Sequence, residues 1–423
     1  MFSRVLFRSG DLGAAPRVLR AVGDATGRLG LPPPAALTGE WFGALAVIAP
    51  SLSVRPVRVA DAFAAPPAPD REPAPGAGPV GGGWLGYLSY PDPGADGGPN
   101  RIPEAAGGWT DCVLRRDPDG DWWYESLSGA PMTAWLAAAL AAEPGPAREC
   151  RIDWGDADRA AHRDGVLACL EAIGAGEVYQ ACVCTQLTGR VTGAPLDFFV
   201  DGVARTSPAR AAYLAGPWGA VASLSPELFL RRRGDVVTSS PIKGTLPLDA
   251  WPSALRASAK DVAENIMIVD LVRNDLGRVA ITGSVAVPEL LVVRRAPGVW
   301  HLVSTVSAQV PVELPTSALL NAAFPPASVT GTPKTRARQL ISQWERNRRG
   351  VYCGTVGLAS PVAGCELNVA IRTVEFDAAA NAVLGVGGGI TADSDPDAEW
   401  AECLHKAAPI VGLPRVATAA SFG

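Results

Sequence analysis

Lysine is scarce in this chain of 423 residues. Lysine and arginine together number 37, yet only four of them are lysines: Lys243, Lys260, Lys334 and Lys406. In a composition so biased toward arginine, a surface position that requires only a positive charge is expected to carry arginine, which keeps its proton under all ordinary conditions. Because a lysine can lose its proton and become a nucleophile, we expect each of the four to lie where an ammonium or a free amine is needed.

Other scarcities exclude whole classes of protein. No apolar run reaches membrane-spanning length, and the first ten residues lack the apolar core of a signal peptide. The net charge of −5 gives no basis for a nucleic-acid partner. Three His and eight scattered Cys without paired spacing argue against a zinc site and suit reduced, buried thiols. We therefore expect a cytoplasmic globular protein that binds neither membranes nor nucleic acid.

The composition and the pattern of predicted helices and strands change near residue 148. Before it, short strands rich in aromatic and β-branched residues flank a Pro- and Gly-rich segment, residues 65–83, which is expected to be an exposed loop or linker. After it, helices and strands follow one another without regular βαβ alternation. This pattern predicts an α+β fold with antiparallel sheets, built from an N-terminal module over residues 1–148 and a second module over residues 149–415.

Periodicity predicts the elements of the second module. Residues 253–277 are predicted to form one helix, and a second helix is predicted to open at Thr332 and Pro333 and to close at Gly350. Residues 365–377 are predicted to form a strand that carries Arg372. The last predicted helix follows the strand of residues 381–390.

Two predicted helices carry closely spaced acids. The last helix places Glu399, Glu402 and Lys406 on one face, and the helix that contains Lys260 carries Asp261 and Glu264 three residues apart. Carboxylates from two helices, without His or Cys, form a site of hard oxygen ligands of the kind that Mg²⁺ prefers. A solvated charged face and ordinary helix salt bridges explain the same spacing, and spacing alone does not decide between the two interpretations.

Four single residues have both a functional and an ordinary interpretation. Lys334 lies near the free amides of a helix start, which suits an anion or is simply a capped helix. A half-buried Arg372 needs an anionic partner, which a ligand or an internal acid can supply. Glu227 precedes apolar residues, where it is either desolvated enough to act as an acid or exposed at a strand end. His301 is either part of a site or a satisfied core histidine.

Taken together, these residues suggest a site for a small substrate that bears more than one carboxylate. It would have several cationic anchors, a cage of carboxylates for Mg²⁺ and an amine nucleophile. The spacing of the residues does not name the substrate.

A series of motifs resembles the chorismate-utilising enzymes. In the order typical of that family, the chain contains "GEVYQACVCTQL", "SPELFL", "SPIKGT", "AKDVAENIMIVDLVRNDLGRV", "HLVSTV", "VTGTPKTRARQLI" and "GGGITADSDPDAEWAECLHKA". The resemblance covers nearly everything from about residue 165 to 410, and "GGGWLGYLSY" resembles the N-terminal module of the family's aminating members. It implies the family fold, in which large antiparallel sheets pack as a sandwich with helices on the outside.

Two positions point to one branch of the family. Gln180 stands where the isochorismate- and salicylate-forming members have the lysine that activates water, and Lys243 stands where anthranilate synthases have alanine. "PIKGT" is typical of the aminodeoxychorismate synthase branch, which makes 4-amino-4-deoxychorismate for p-aminobenzoate and folate or for a secondary metabolite. The alternatives are formation of anthranilate or 2-amino-2-deoxyisochorismate, and a silent chorismate-binding subunit that regulates a partner.

The resemblance implies roles for individual residues. Lys243 would attack the ring of chorismate covalently, Glu227 would act as general acid on the departing hydroxyl, and His301 and Thr330 would lie near the reacting ring. The implied ligands of Mg²⁺ are Glu264 and Glu402, with Glu399 and Asp261 close by. The implied substrate-binding residues are Gln180, Tyr352, Arg372, Gly387, Gly388, Gly389 and Lys406.

The source of ammonia is implied to lie outside the chain. No "G-x-C-x-G" glutaminase nucleophile with a downstream histidine is present. We therefore expect a separate glutamine amidotransferase subunit as partner, or the use of free ammonium in its absence.

Overall fold

The computed structural model describes residues 12–65, 78–143, 145 and 148–413, together with the backbone of residues 3–7. The predicted linker over residues 65–83 lies mostly outside this part, as do residues 414 and 415 of the predicted second module. The end of that linker was expected to be exposed, and this expectation was wrong. Residues 80–83 are buried, and the Glu125 carboxylate accepts hydrogen bonds from the amides of Val80 and Gly81 at 2.7 and 3.0 Å.

The helices of the described residues are distributed along the whole chain. They are α1 (Ala15–Leu29), α2 (Ala134–Ala141), α3 (Arg159–Gly174), α4 (Pro195–Thr206), α5 (Ser253–Ala257), α6 (Ala259–Gly277), α7 (Thr316–Ala323), α8 (Lys334–Trp344) and α9 (Pro396–Val411).

The strands are mostly short. They are β1 (Ser3–Phe7), β2 (Ala35–Trp41), β3 (Ala44–Ala49), β4 (Arg55–Pro56), β5 (Gly83–Leu88), β6 (Ala105–Thr110), β7 (Cys112–Arg116), β8 (Trp122–Ser126), β9 (Arg151–Trp154), β10 (Gln180–Thr192), β11 (Arg210–Gly216), β12 (Gly219–Ser225), β13 (Leu228–Arg233), β14 (Val236–Ser240), β15 (Ile242–Pro247), β16 (Ala286–Ala296), β17 (Val299–Gln309), β18 (Gly331–Thr332), β19 (Thr355–Ser360), β20 (Gly364–Asn368), β21 (Thr373–Asp377) and β22 (Asn381–Ile390).

Within the described ranges these strands form two antiparallel sheets. The first, of 12 strands, has the order β1-β8-β7-β3-β2-β11-β12-β21-β22-β10-β18, with β9 beside β10. The second, of 10 strands, has the order β15-β17-β14-β13-β20-β19-β5-β6-β4, with β16 beside β17. Each sheet combines strands from both sides of residue 148, since β2 pairs with β11 and β5 pairs with β19. The division into two modules at that residue stays a prediction.

The two sheets pack face to face, and helices cover their outer faces. One apolar cluster joins Leu37 and Leu214 of the first sheet to Leu85 and Leu358 of the second. On the outer side of the first sheet, α1, α4 and α9 bury their apolar faces. Removing this apolar surface from water is the main force that holds the layers together. The predicted α+β class with sandwiched antiparallel sheets is confirmed.

Three predicted elements differ from the observed ones. The helix over residues 253–277 is broken at Ser258, whose hydroxyl accepts the amide of Asp261 and begins α6 as its N-cap. Helix α8 ends at Trp344, before the predicted Gly350.

The predicted strand over residues 365–377 is two strands in different sheets, β20 and β21. The chain turns between the sheets at Arg372, which has a φ of 51° and therefore does not lie in a strand. Hydrophobic alternation continues across this corner, so the pattern alone does not reveal it.

Several of these elements end near one another. Strands β10 and β22 pair so that Ala181, beside the start of β10, lies opposite Ile390 at the end of β22. Helix α6 packs against β15 and β17, and α9 packs against β22. The chain thus brings the first turns of two helices to the end of a glycine-rich strand. No helix within the described ranges combines the length and the apolar character that spanning a membrane requires.

Candidate active site

Lys243 lies inside the molecule and faces helix α6. Strand β15 bulges between Ile242 and Thr245 as it pairs with β17, and Gly244 has a φ of 86°. A Cβ atom on Gly244 would lie 3.1 Å from the Asp261 side chain, so only glycine permits this close approach of strand and helix. The Lys243 side chain is 14% exposed, and its Nζ lies 3.7 Å from Oε2 of Glu264.

Gly387, Gly388 and Gly389 leave room for the polar groups of the site. A Cβ atom on Gly389 would lie 3.2 Å from Nζ of Lys243 and 3.5 Å from Oε2 of Glu264. On Gly388 it would lie 3.0 Å from Oε2 of Glu399. The carbonyl of Gly387 accepts a hydrogen bond from the Lys406 ammonium at 2.9 Å. The structure therefore brings the predicted glycines together with Lys243, Lys406 and the predicted acids.

Three of the four predicted acids each form an ion pair with a lysine. Glu264 pairs with Lys243, Glu399 pairs with Lys260 at 3.3 Å, and Glu402 pairs with Lys406 at 2.7 Å. In the part of the chain that the structure describes, no three acidic, His or Cys side chains lie close enough together to hold a metal ion. The predicted Mg²⁺ site stays a prediction.

The two carboxylate oxygens of Glu399 differ in their hydrogen bonding. The hydroxyl of Ser394 donates to its Oε1 at 2.6 Å, while its buried Oε2 has no hydrogen-bond partner among the described residues. A buried carboxylate oxygen without a hydrogen-bond donor raises the free energy of the folded state. Such an oxygen is typical of a site that binds a ligand or an ion. Asp395 is the N-cap of α9, since its side chain accepts hydrogen bonds from the amides of Asp397 and Ala398.

Burial and lysine charges act in opposite directions on the acids. Burial raises the pKa of Glu264 above its ordinary value, although Lys243 and Lys260 oppose this shift. For Glu402, burial favours protonation, but the Lys406 ammonium outweighs it and the pKa is lowered.

Glu227 is a buried carboxyl group next to the site. Its backbone amide donates to the hydroxyl of Ser225, and burial raises its pKa to about 7 even though Ser328 and the Lys243 charge oppose the shift. A carboxyl group with this pKa is partly protonated at neutral pH and can donate a proton. The structure places Glu227 in the buried environment that the functional interpretation requires.

His301 and Arg372 form a second polar group. Thr245 lies opposite His301 in the pairing of β15 and β17, and its hydroxyl is 2.9 Å from Nδ1 of His301. Burial and the nearby Arg372 charge lower the pKa of His301 to about 4, so the imidazole is neutral at neutral pH. Arg372 forms no ion pair with any described residue, and burial lowers its pKa. A desolvated guanidinium without a carboxylate is suited to bind an anion.

The other predicted residues lie close to the same strands. The buried Gln180 side chain has an Oε1 without a partner in the described part of the chain, and this atom would lie 3.6 Å from a Cβ on Gly389. The hydroxyl of Thr330 donates to the carbonyls of Pro326 and Ala327, both at 3.2 Å. Tyr352 packs under Gly385, where a Cβ would lie 2.2 Å from its ring, so it lies farther along β22 from Gly389.

Lys334 is already paired with a carboxylate of the chain itself. Its ammonium binds the Asp275 carboxylate at 2.5 Å and the carbonyls of Ala323 and Pro325 at 2.9 and 2.8 Å. Because these three contacts use all three donors, the suggested anion site at this helix start was wrong.

Sequence reasoning assigned no role to two residues that support the site. These are Thr245, which contacts His301, and Ser394, which contacts Glu399. Both residues lie in motifs that contain predicted site residues, Lys243 for Thr245 and Glu399 for Ser394, and this position was the available signal.

Comparison with known proteins identifies relatives. The family described as chorismate binding enzyme matches residues 53–412. Aminodeoxychorismate synthase component 1 of Escherichia coli is 42% identical over 56% of this chain and 53% of its own length. Aminodeoxychorismate synthase of Streptomyces pristinaespiralis is 37% identical over 80% and 51%, and an anthranilate synthase component 1 of Haloarcula marismortui is 39% identical over 60% and 51%. The chain thus spans about half the length of these curated relatives.

Solved structures show the same fold. Anthranilate synthase component I from Streptococcus pneumoniae aligns with a TM-score of 0.71 at 22% identity, over 97% of this chain and 92% of that one. The menaquinone-specific isochorismate synthase MenF from Escherichia coli aligns with a TM-score of 0.70 at 17% identity, over 97% and 94%. With the family match over most of its length, this chain belongs to the chorismate-binding enzymes.

Proposed function

We propose that the chain is the synthase subunit of an aminodeoxychorismate synthase, which converts chorismate and ammonia to 4-amino-4-deoxychorismate. The observation that carries this proposal is the place of Lys243, whose amine lies between Glu264 and the glycine strand instead of in solvent. The identity to relatives of that name, 42% and 37%, supports it. The product would serve the p-aminobenzoate and folate route or a secondary metabolite, in the cytoplasm.

Covalent catalysis by Lys243 would divide one difficult displacement into two easier steps. After losing its proton, Nζ attacks C2 of the ring, the two conjugated ring double bonds shift from C1–C2 and C5–C6 to C1–C6 and C4–C5, and the C4–O bond breaks. Glu227 supplies the proton with which the hydroxyl leaves as water. Ammonia then forms a bond to C4, both double bonds shift back, and the C2–Nζ bond breaks with its electron pair returning to Lys243, which takes up the proton that the new amino group loses.

Mg²⁺ fits the chemistry of the acids. The available donors are carboxylate oxygens from two helices, one of which, Oε2 of Glu399, is buried without a partner among the described residues. Glu264 and Glu402 would hold the ion, with Glu399 and Asp261 close by. When bound, it would neutralise the ring carboxylate of chorismate and fix its position.

The remaining residues would orient the substrate. Arg372 would bind the carboxylate of the enolpyruvyl group, since no acid among the described residues pairs with it, and Tyr352 would pack against that end. Lys406 and the backbone of Gly387 to Gly389 would support the ring carboxylate. Neutral His301, Thr330 and Gln180 would lie along the reacting ring.

Ammonia would come from a separate glutamine amidotransferase. The relative from Escherichia coli is named component 1, a name that supports a second component. Free ammonium at high concentration would replace the partner in an assay.

Product analysis tests the proposal directly. Incubation with chorismate, MgCl₂ and ammonium should yield 4-amino-4-deoxychorismate, identified by mass spectrometry. Without ammonium, the intact protein should carry an adduct of chorismate minus water on Lys243, located by peptide mapping. Anthranilate as the sole product would contradict the proposal, and so would a lack of turnover with both ammonium and a cognate glutaminase.

A second candidate function is formation of anthranilate or 2-amino-2-deoxyisochorismate. The ion pair between Lys243 and Glu264 favours it, because a lysine that serves only as a counter-ion is no nucleophile. The 39% identity to an anthranilate synthase component 1 is consistent with it. In that case no adduct would form, and replacement of Lys243 by Ala would leave the rate unchanged.

A further inference from the structure

Lys260 joins the two acidic helices through a single contact. It is the second residue of α6, and its Nζ lies 3.3 Å from Oε1 of Glu399 on α9, 139 residues away in the chain. Glu399 also accepts a hydrogen bond from Ser394, so it remains held if the lysine leaves. The contact is therefore not needed to position Glu399.

The three lysines of the site differ in how firmly they are held. Lys406 pairs with Glu402 and also donates to the carbonyl of Gly387. Lys243 is 14% exposed and enclosed by Glu264 and Gly389. The Lys260 side chain is 46% exposed and has one carboxylate partner. It is the ammonium in this group that can move into solvent by losing one contact.

Lys260 lies in the combined field of several acids. Its ammonium pairs with Glu399, and the charges of Glu264 and Glu402 also act on it. Asp261 forms no ion pair with a described residue, so the four carboxylates face only three ammonium groups. Without these ammonium groups the carboxylates would repel one another, which makes an internal cation necessary when no external one is bound.

We propose that Lys260 is an internal counter-ion that competes with a divalent cation for the carboxylates of α6 and α9. The inference rests on the proposed function in that it requires Mg²⁺ to bind these acids. In the structure Lys260 pairs with Glu399, one of the acids proposed to lie at the cation. When the cation binds, Lys260 releases Oε1 of Glu399 and turns into solvent.

Metal titration of the full chain without substrate tests this competition. The probe is Mn²⁺, with the free ion followed by electron paramagnetic resonance. The variant Lys260→Met should bind Mn²⁺ with a Kd about 10-fold lower than that of the wild type, which is ~1.4 kcal/mol, and Lys260→Arg should resemble the wild type. An unchanged or higher Kd in Lys260→Met overturns the proposal, and so does the absence of binding in both proteins.

A matched control removes the same charge from the same helix at a different place. Arg273 on α6 pairs with Asp270 within its own helix, 2.9 Å away and exposed. Arg273→Met should change the Kd by less than twofold. If it tightens binding as much as Lys260→Met does, general electrostatics explain the effect and the specific role of Lys260 is refuted.

Thermal unfolding separates this role from a structural one. Lys260→Met should have a lower Tm than the wild type in EDTA, because the acids repel, and an equal or higher Tm at saturating Mn²⁺. A loss of Tm that persists in Mn²⁺ identifies the ion pair as structural and overturns the proposal. These measurements contain no chorismate, so the wrong product in the activity assay would reject the proposed function without affecting them.

Discussion

Lys334 and Lys243 each form an ion pair with a carboxylate, but the polar atoms around the two pairs differ in how many hydrogen-bond partners they have. The Asp275 carboxylate is buried, the Lys334 side chain is 13% exposed, and every donor of the ammonium has an acceptor. Around Lys243 the chain leaves polar atoms open: Oε1 of Gln180 and Oε2 of Glu399 have no partner in the described part of the structure. An ion pair in which every polar atom has a partner contributes to the fold alone, whereas polar atoms without a partner can still bind a ligand.

The same difference separates Arg349, which is buried, from Arg372, which is half-buried. Arg349 donates to both carboxylate oxygens of Glu345 and to the carbonyls of Val329 and Cys182. Arg372 forms no ion pair within the described residues and lies at a corner with a φ of 51°. Burial and rare residue type are therefore not enough to identify a functional cation. A functional cation is distinguished by having no carboxylate partner among the described residues.

Replacement of Lys243 by Ala should produce the largest effect on activity. Loss of the nucleophile should lower kcat/KM on the order of 10³-fold, because the covalent route is closed. The melting temperature should change little, because Glu264 is near Lys260 as well as Lys243 and keeps a compensating charge. Steady-state kinetics with ammonium and thermal unfolding measure the two quantities. A large loss of Tm with normal kcat/KM would make Lys243 a structural residue.

Replacement of Lys334 by Ala should show the reverse pattern. It leaves the Asp275 carboxylate buried without its cation, which costs about 3–5 kcal/mol of unfolding free energy. The pKa of Asp275 is about 6 in the folded protein, because burial raises it more than Lys334 lowers it, so the loss should be smaller at pH 5, where the acid is protonated. Denaturant unfolding at pH 5 and pH 8 measures this. Activity per folded molecule should stay near that of the wild type.

Replacement of Glu227 by Gln should affect activity and stability in opposite directions. Loss of the general acid should lower kcat about 10²-fold or more and remove the decline in kcat/KM that the wild type should show above pH 7. The pKa of Glu227 rises from 4.5 to about 7 on folding, so the proton bound in the native state stabilises the wild type below pH 4.5 and is lost as the pH rises through 7.

Gln is neutral at every pH and does not incur this loss. The variant should therefore gain stability relative to the wild type between pH 5 and pH 8, on the order of 3 kcal/mol. Urea unfolding at the two pH values checks the shift. A constant difference between the proteins would show that Glu227 has an ordinary pKa.

Local patterns were sufficient for several strands of the two sheets. The pattern of residues 381–390 predicts a strand that the structure confirms as β22. The scarcity of lysine directed attention to four positions, three of which meet the acids of α6 and α9. These features depend on periodicity or composition, which a sequence displays directly.

Partners that are distant in the chain could not be predicted. Lys334 is separated by 59 residues from Asp275, and nothing in the local pattern of either residue indicates that they meet. The same holds for the contact between Lys260 and Glu399. The corner at Arg372 was missed for a different reason, since its neighbours alternate like a strand while its φ is positive.

A single methyl group at Gly389 should give the smallest effect and the sharpest test of the open site. The new Cβ of Gly389→Ala would lie 3.2 Å from Nζ of Lys243, the end of a flexible side chain, so the fold should tolerate it. Displacement of the amine should lower kcat/KM about 10-fold, with a stability change within ~0.5 kcal/mol. In the control Gly385→Ala, the Cβ would lie 2.2 Å from Cγ of Tyr352, a buried ring that cannot yield, and stability should fall by about 1–3 kcal/mol. If Gly389→Ala keeps full activity, the amine is not confined against this strand during the reaction.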